Sequence, residues 1–451
     1  MPPRTERHGP ALAAYRALCG RFRSSRLLCG TVWSLLGAVA GQSLALAATV
    51  LAGRLLGTSR FGQFALLQTT IVTLGVLAGL GLGLTTNRYV AACRRTDPAR
   101  AGRIITVAMV SAVLSGGATA SIVAAVAGPL SSQVFGESAL AGDLRVACLL
   151  LVVNAISGVQ TSTLAGLEAY QDAAIATAIR GAITLPLISG GIVWGGLRGA
   201  LWGSAVAGVM ACGLNEWLLG RRLKSAGLSR VWKDLWSERR VLLHFSAPAL
   251  LSSAVAASAG WFASVWLAAQ PHGFAELGLF NAANAWRTAI LFLPSTMSQP
   301  LLTALSGLHA SGNTSAYHRL AGRATAAVVC VTALIAVLAA VLARPLMGIY
   351  GSAYQGAARL VGPLAAAAVL ASAGMVLGQA LASAEKMWVA LAVNGAWALV
   401  FVGAARLLIP VYGGYGLALS HVISYSAHIV TNYLCLRVVL PPVGDRLAVE
   451  S

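Results

Sequence analysis

The chain predicts an all-α integral membrane protein of about 12 transmembrane helices, built as two six-helix lobes that repeat one another in parallel. Three observations predict this: the composition, twelve apolar runs of spanning length, and a self-match at an offset near 217 residues. Of 451 residues, 57% are hydrophobic and 10% are charged, and the mean hydropathy is +0.76. A water-soluble fold needs a charged, wetted exterior, which this chain cannot cover. Lipid is therefore the solvent for most of it.

About 20 apolar residues cross roughly 30 Å of hydrocarbon as a helix. Runs of that length fall at 30–54, 61–87, 104–128, 144–166, 173–195, 199–219, 241–269, 277–305, 324–343, 360–382, 387–409 and 415–436. The basic residues orient them. With the N-terminus inside, 23 of the 32 Lys and Arg fall on inner segments, 5 on outer ends and 4 (Arg145, Arg180, Arg287, Arg406) within spans. That asymmetry places both termini in the cytoplasm. The division is a basic cytoplasmic tail (1–28), a first lobe (29–219), a basic linker (220–240), a second lobe (241–437) and a cytoplasmic tail (438–451). The linker, with Trp232 and Trp236, reads equally as an amphipathic segment on the anionic inner leaflet or as a solvated loop.

The net charge of +19 sits in short segments between apolar runs, with no interleaved aromatics, so no nucleic-acid partner is expected. The seven cysteines form neither a CxxC pair nor a metal spacing, and read as reduced thiols. No GxxxxGK[ST] loop is present, and no outer loop is long enough to carry catalytic carboxylates. No cofactor, metal or enzymatic activity is expected. His309 and His318 flank an inner loop, a place for solvated rather than catalytic histidines.

The repeat is visible in three places. Leu164 to Glu168 aligns with Leu381 to Glu385 and Arg198-Gly199-Ala200 with Tyr415-Gly416-Leu417, both at an offset of 217. Phe61 to Phe64 aligns with Leu277 to Phe280 at 216. Six spans precede the linker and six follow it, so the halves share one orientation. Such halves place a cavity between them.

Two arginines lie where hydrocarbon is expected. Arg287 is about ten residues into its span and Arg180 at a similar depth from the other side, roughly 15 Å in at 1.5 Å per residue. A central arginine facing lipid costs about 2.5–3.5 kcal/mol on insertion scales. None of the thirteen acids falls in the central third of a span, so no carboxylate partner waits at that depth. Two readings stand: arginines lining a cationic cavity, or arginines capped by helix carbonyls and by neighbours such as Asn154, Gln160 and Gln299. A cavity suits an anionic guest, because guanidinium matches phosphate oxygens in pairs. Asn281 and Asn284 share about a third of the helix circumference with Arg287. The substrate-binding candidates are Arg180, Arg287, Asn281, Asn284, Arg145, Asn154 and Gln160. Pro186, Pro248, Pro294 and Pro300 lie inside spans, as kinks for bending or for packing.

Several stretches carry a family resemblance. LLGTSRFGQFALLQTTIVTLGVLAGLGLGLTTNRYVA (55–91) resembles the second-helix signature of polysaccharide flippases. LAGLEAYQDAA (164–174), GGLRGALWGSAVAG (195–208), FSAPALLSSAVAASAGWFASVWLAAQ (245–270), ELGLFNAANAW (276–286) and LLIPVYGGYGLALSHVIS (407–424) follow in the same order. The chain is thereby similar to the Wzx-like oligosaccharide flippases of the multidrug/oligosaccharidyl-lipid/polysaccharide exporter superfamily. The resemblance implies a V-shaped, alternating-access transporter in a bacterial inner membrane. It also implies transfer of an undecaprenyl-pyrophosphate-linked oligosaccharide to the outer leaflet, for surface or exopolysaccharide synthesis. Membrane lipids, a polysaccharide polymerase and glycosyltransferases would be its partners. The resemblance also implies arginines in the central cavity, which Arg180 and Arg287 match. One departure is the seventh span, SAGWFASVW (258–266), which lacks the acid many relatives carry there. The alternative within the superfamily is a multidrug/cation antiporter, which needs such an acid.

Overall fold

A computed structural model describes residues 10–79, 81–232, 239–311, 313–384 and 387–439, with side chains of the first helix described from residue 37. The expected tail residues 1–9 and 440–451 and linker residues 233–238, Trp236 among them, lie outside the described residues. Every regular element described is helical. The longer helices are α1 (Pro10–Ala78), α2 (Leu82–Cys93), α3 (Pro98–Ala125), α4 (Leu140–Ala147), α5 (Leu149–Gly166) and α6 (Tyr170–Ser225), then α7 (Arg239–Ala268), α8 (Gly273–Ile290), α9 (Phe292–Ala310), α10 (Thr314–Val341), α11 (Ala358–Ser383), α12 (Met387–Tyr412) and α13 (Gly414–Val439).

Eight helical stretches among the described residues are long and apolar enough to cross a membrane. Two of them, in α1 and α6, are each two passes joined through glycine with non-helical backbone, Gly57 in one and Gly195-Gly196 in the other. The expected spans 277–305 and 415–436 are the α8–α9 pair and α13. Their asparagines, histidines and serines dilute the apolar signal. Residues 10–28, expected as a tail, are helical and continuous with the first span. Pro294 interrupts the helix hydrogen bonding of its expected span, at the break between α8 and α9. It stands at the third position of α9 and has no N–H for the Ile290 carbonyl, so the chain breaks at Leu291.

The helices pack as two bundles, one up to Ser225 and one from Arg239 onward. Each has a smaller apolar cluster of its own, and a larger core, with Phe61 and Leu67 from one and Leu277 and Tyr354 from the other, joins them. Their outer faces leave Leu114, Ile122, Leu334, Leu399 and Leu407 largely exposed, an exterior suited to lipid. Hydroxyls inside the helices bond back to their own turn, as Thr86 does to Leu82 and Thr163 to Val159, which satisfies them without water.

Backbone conformation carries the repeat into three dimensions. The left-handed residues Gly57, Gly136 and Gly196 are matched by His272, Gly351 and Gly413, which lie 215, 215 and 217 residues further on. The turns joining successive passes thus fall at equivalent places in the two halves and each uses a positive-φ residue, although Gly57 is extended in ψ (172°) where His272 is not (20°). Gly62 and Gly278, equivalent at an offset of 216, touch each other. A Cβ on Gly62 would lie 1.8 Å from the Phe274 carbonyl oxygen, and one on Gly278 would lie 2.0 Å from that of Thr58. Under pseudo-twofold symmetry only residues at the axis meet their own equivalents, so the axis between the bundles passes here.

Ionic contacts mark the two ends. On the end where most basic residues gather, hereafter the basic face, Arg94 pairs with Glu168 at 2.6 Å, Arg222 with Asp172, and Arg230 with Glu216 at 2.6 Å. On the far face Arg198 pairs with Asp143 at 2.8 Å. The Arg94 hydrogen bond holds the Glu168 carboxyl below the usual carboxylate range. A lowered value in the folded state contributes stability above the unfolded value of 4.5, and that contribution is lost as pH falls through the lowered value. Glu168 is largely exposed, so the effect stays under about 1 kcal/mol. Melting curves of the parent and Glu168→Gln in detergent should differ at neutral pH and merge below about pH 4. A gap that persists there would mean the pair is not the source.

Candidate functional site

The first bundle encloses a cavity of about 890 Å³ between α1, α2, α5 and α6, closed on one side by Phe292 of the second bundle. Arg180 stands in its wall, exposed to it, ten residues from the start of α6. Asn154, Gln42, Gln68, Thr161, Ser162, Thr177, Thr184 and Ser204 share the lining, on walls otherwise made of glycine, alanine, aliphatic side chains and Phe292. Arg180 is the one charged residue in that lining. Among the described residues it makes no ion pair, and its side chain no hydrogen bond. Its backbone carbonyl accepts from the Thr184 hydroxyl at 2.7 Å. The acid on the same side, Glu216, is committed to the Gln160 amide and to Arg230. The guanidinium and the amides of Gln42, Gln68 and Asn154 thus share a space with a fixed positive charge and no fixed negative one, an arrangement that holds an anion. The Thr161, Thr177 and Thr184 hydroxyls donate to carbonyls of their own helices.

The expected site residues separate. Arg180 and Asn154 share the cavity. In the second bundle, Arg287 donates from Nε to the Asn284 side-chain oxygen at 2.6 Å, while Asn281 donates to the Leu277 carbonyl of its own helix at 2.8 Å. Gln160 is on α5 with Asn154, but its amide donates to the Cys212 carbonyl and to Glu216, away from the cavity wall. Arg145, counted within a span, is in the last turn of α4 near the far face, exposed, with Nε donating to the Ala124 carbonyl at 3.4 Å. The Gln299 side chain is outside those described. The sequence reading missed Gln42, Gln68 and Thr184, whose signal was their polarity at mid-span.

The hydrogen bonds described between the bundles lie toward the far half, and α2 also packs against α7. Tyr354 donates to the Gly53 carbonyl at 2.9 Å and its ring meets Phe61 edge-on. Below the Gly62–Gly278 contact, Trp261 donates to the Thr70 hydroxyl at 2.9 Å, and Thr73 donates to the Ala257 carbonyl at 3.3 Å. Thr73 is sixteen residues past Gly57, about 24 Å down the helix. The cavity lining continues past this seal to Gly79 and Gly83, and to Ser162 within two turns of the α5 end on the basic face.

Comparison with known proteins agrees with this architecture. The EPS I polysaccharide export inner membrane protein EpsE of Ralstonia nicotianae is 24% identical over 424 residues, covering 91% of this chain and 93% of that protein. The protein of the same description from Ralstonia solanacearum is 23% identical over 422 residues, with the same coverage. Among solved structures, an inward-facing multidrug resistance MATE family transporter of the MOP superfamily superposes with a TM-score of 0.74 at 17% identity, covering 88% of this chain and 94% of that one. A MOP superfamily transporter from Pyrococcus furiosus, described as having a binding pocket of reverse polarity that suggests a different function, superposes with a TM-score of 0.66 at 17% identity, covering 91% of this chain and 96% of that one. Residues 27–306 match the family model described as Polysaccharide biosynthesis protein, which is more than half of the chain. This membrane protein with a cationic cavity in its first bundle belongs to the polysaccharide biosynthesis protein family.

Proposed function

We propose that the protein is a flippase that carries an oligosaccharide, joined through pyrophosphate to undecaprenol, from the cytoplasmic to the outer leaflet of a bacterial inner membrane. The observation that carries this reading is Arg180: an exposed guanidinium, without a described partner, alone among neutral donors in a cavity of about 890 Å³. A pyrophosphate diester supplies the missing negative charge, and the amides and hydroxyls around it suit sugar hydroxyls. The basic face is then cytoplasmic, with both termini on that side, and the far-face seal closes the outer mouth. Lobes 29–219 and 241–437 rock about the Gly62–Gly278 axis, presenting the cavity to one leaflet and then the other. The names of the two Ralstonia relatives support polysaccharide export as the process and the inner membrane as the place.

A multidrug/cation antiporter, which the likeness in fold also brings to mind, needs a carboxylate to hold its cation. The cavity lining contains none. Transfer of a fluorescent undecaprenyl-pyrophosphate-linked oligosaccharide in proteoliposomes tests the proposal. The intact protein should transfer it, and Arg180→Ala should reduce the rate about tenfold or more, with Arg287→Ala reducing it less because Asn284 already engages that guanidinium. Equal transfer by the parent and Arg180→Ala would move the phosphate site elsewhere. Transport of an organic cation with none of the lipid-linked sugar would replace this reading with the antiporter.

A further inference from the structure

On the far face of the second bundle a pocket of about 700 Å³ opens between the α7–α8 turn, the start of α11 and the α12–α13 turn. Its chemistry is carried by Gln270, Glu276, Arg359, Tyr412 and Tyr415. The α12–α13 turn fixes the carboxylate, because the Gly414 N–H donates to Glu276 Oε2 at 3.1 Å. The other oxygen, Oε1, is 3.9 Å from Arg359, too far for a hydrogen bond, and the Arg359 side chain is 61% exposed. Gln270 spends its amide nitrogen on the Trp266 carbonyl at 3.3 Å, which leaves its side-chain oxygen without a partner among the described residues. Tyr412 is half exposed and Tyr415 less so, and neither hydroxyl has a hydrogen bond among the described residues.

The fold does not require this set of residues, since the other half of the repeat does without it. The α12–α13 hairpin is equivalent to the second hairpin of α6 at an offset of 217. A Cβ on Gly199 would lie 1.8 Å from the Gly191 carbonyl oxygen, and one on Gly416 would lie 2.3 Å from that of Leu408. In the first bundle Arg198 lies over Gly142, 2.8 Å from where a Cβ would stand, and closes on Asp143 at 2.8 Å. At the same offset Gly142, Asp143 and Arg198 become Arg359, Leu360 and Tyr415. Across the hairpin, Arg60 beside Gly196 becomes Glu276 beside Gly413. The ion pair that closes the first bundle is thus taken apart in the second, where acid and guanidinium stand 3.9 Å apart at the edge of a space.

Acid and guanidinium cancel, so the pocket carries no net charge and selects neither an anion nor a cation. It offers acceptors on Glu276 and Gln270, donors on Arg359, and two tyrosine rings. That mixture matches a sugar, whose hydroxyls both donate and accept and whose C–H faces lie against aromatic rings. The volume falls within the range of about 300–1,000 Å³ of ordinary ligand sites. Position supplies the source. A second depression of about 410 Å³, bordered by Ser59, Gly136, His272 and Phe274, adjoins the first through Gln270. The Phe274 carbonyl is the atom that Gly62 faces at the axis, so the two depressions lead from the seal onto the second bundle. We propose that the far-face pocket is a saccharide-binding site, which takes the sugar chain as it emerges between the bundles. That the sugar comes from a transported lipid rests on the flippase reading; the site itself rests on the residues that line it.

The pocket is present while the far-face seal is closed, so the purified protein should bind sugar without turnover. The probe is the free oligosaccharide cleaved by mild acid from the lipid-linked precursors of the strain that carries this chain. Saturation-transfer NMR in detergent should show it bound to the parent. Affinity should weaken about threefold to tenfold in Tyr412→Ala, which removes a ring, and about tenfold or more in Arg359→Gln, which removes a charged donor. Both side chains are at least half exposed, so both variants should melt close to the parent. Trp194→Ala removes a ring that is 95% exposed at the equivalent edge of the first bundle, and should change nothing. Unchanged affinity in both pocket variants, or an equal loss in Trp194→Ala, would overturn the proposal. So would a parent that binds no saccharide, whether or not it transfers lipid-linked sugar in proteoliposomes. A parent that transfers without binding keeps the flippase reading and loses the pocket. One that binds at the pocket and transfers nothing loses the flippase reading and keeps the pocket.

Discussion

Replacing Gly62 by valine is expected to break the far-face seal. The new Cβ would stand 1.8 Å from the Phe274 carbonyl oxygen and 3.0 Å from the Gly278 nitrogen. Both are backbone atoms, which cannot swing aside as a flexible side chain would. Relief requires the two bundles to separate along the axis, and with them Tyr354 from Gly53 and Trp261 from Thr70. Overpacking of this kind costs about 1–3 kcal/mol, which shifts a two-state equilibrium by about 5- to 150-fold. The helix itself gains from losing a glycine, so the cost falls on the contact between bundles. A cysteine at Thr70 should react with an impermeant thiol reagent much faster in Gly62→Val than in the parent, and lipid-linked sugar transfer should fall about tenfold or more. Gly278→Val should do the same, because its Cβ meets the Thr58 carbonyl at 2.0 Å. Gly117→Val, at a position with nothing within 4 Å, should change neither. Unchanged labelling and transfer in Gly62→Val would mean that the bundles part elsewhere.

The second large effect is expected at Arg180, and its signature is a split between stability and transport. The guanidinium has no described ion-pair or side-chain hydrogen-bond partner, so removing it leaves no orphaned acid behind. The melting temperature of Arg180→Ala in detergent should therefore stay close to that of the parent. Arg180→Glu should abolish transfer, because the new carboxylate and an anionic guest would then repel each other within one cavity. Arg180→Lys should retain part of it: the charge remains, but the planar pair of donors is lost. Hydrogen bonds to charged groups contribute about 1.5–3 kcal/mol, so the Lys variant belongs between the parent and a loss of about 10- to 150-fold. A melting temperature that drops with Arg180→Ala while transfer persists would make the residue structural.

These predictions rest on features of unequal legibility. The depth of Arg180 could be read directly, because a helix rises 1.5 Å per residue and the ends of an apolar run are marked by polar groups. The unpaired state of its charge followed from where the acids stand in the chain. Asn154 and Gln160 could not be ranked in that way. They lie six residues apart on one helix and so project about 240° apart, and which of the two faces the cavity depends on which helices pack beside α5. The asparagine stripe of α8 was visible as a spacing, yet Asn281 turns to the Leu277 carbonyl while Asn284 holds Arg287. His421 and His428 were present as an i, i+7 pair with Tyr425 between them. Such a pair reads as ordinary helix interior, and that Asn394 of another helix meets His428 at 3.2 Å is visible only in the fold.

The sequence by itself determined that this protein lives in lipid, that it consists of one helical unit used twice in the same orientation, and that it holds positive charge at mid-depth without an acid to meet it. Those properties are set by composition, run length and the linear placement of charge, all of which are local or summed along the chain. Only the tertiary structure decided that the repeat-equivalent Gly62 and Gly278 meet at the axis, that the cavity is lined mainly by the first bundle, and that Arg287 of the second is engaged by Asn284. Each of these depends on which faces of distant helices are turned toward one another. That choice is made by close packing among residues tens to hundreds of positions apart, and no periodicity in a single chain encodes it.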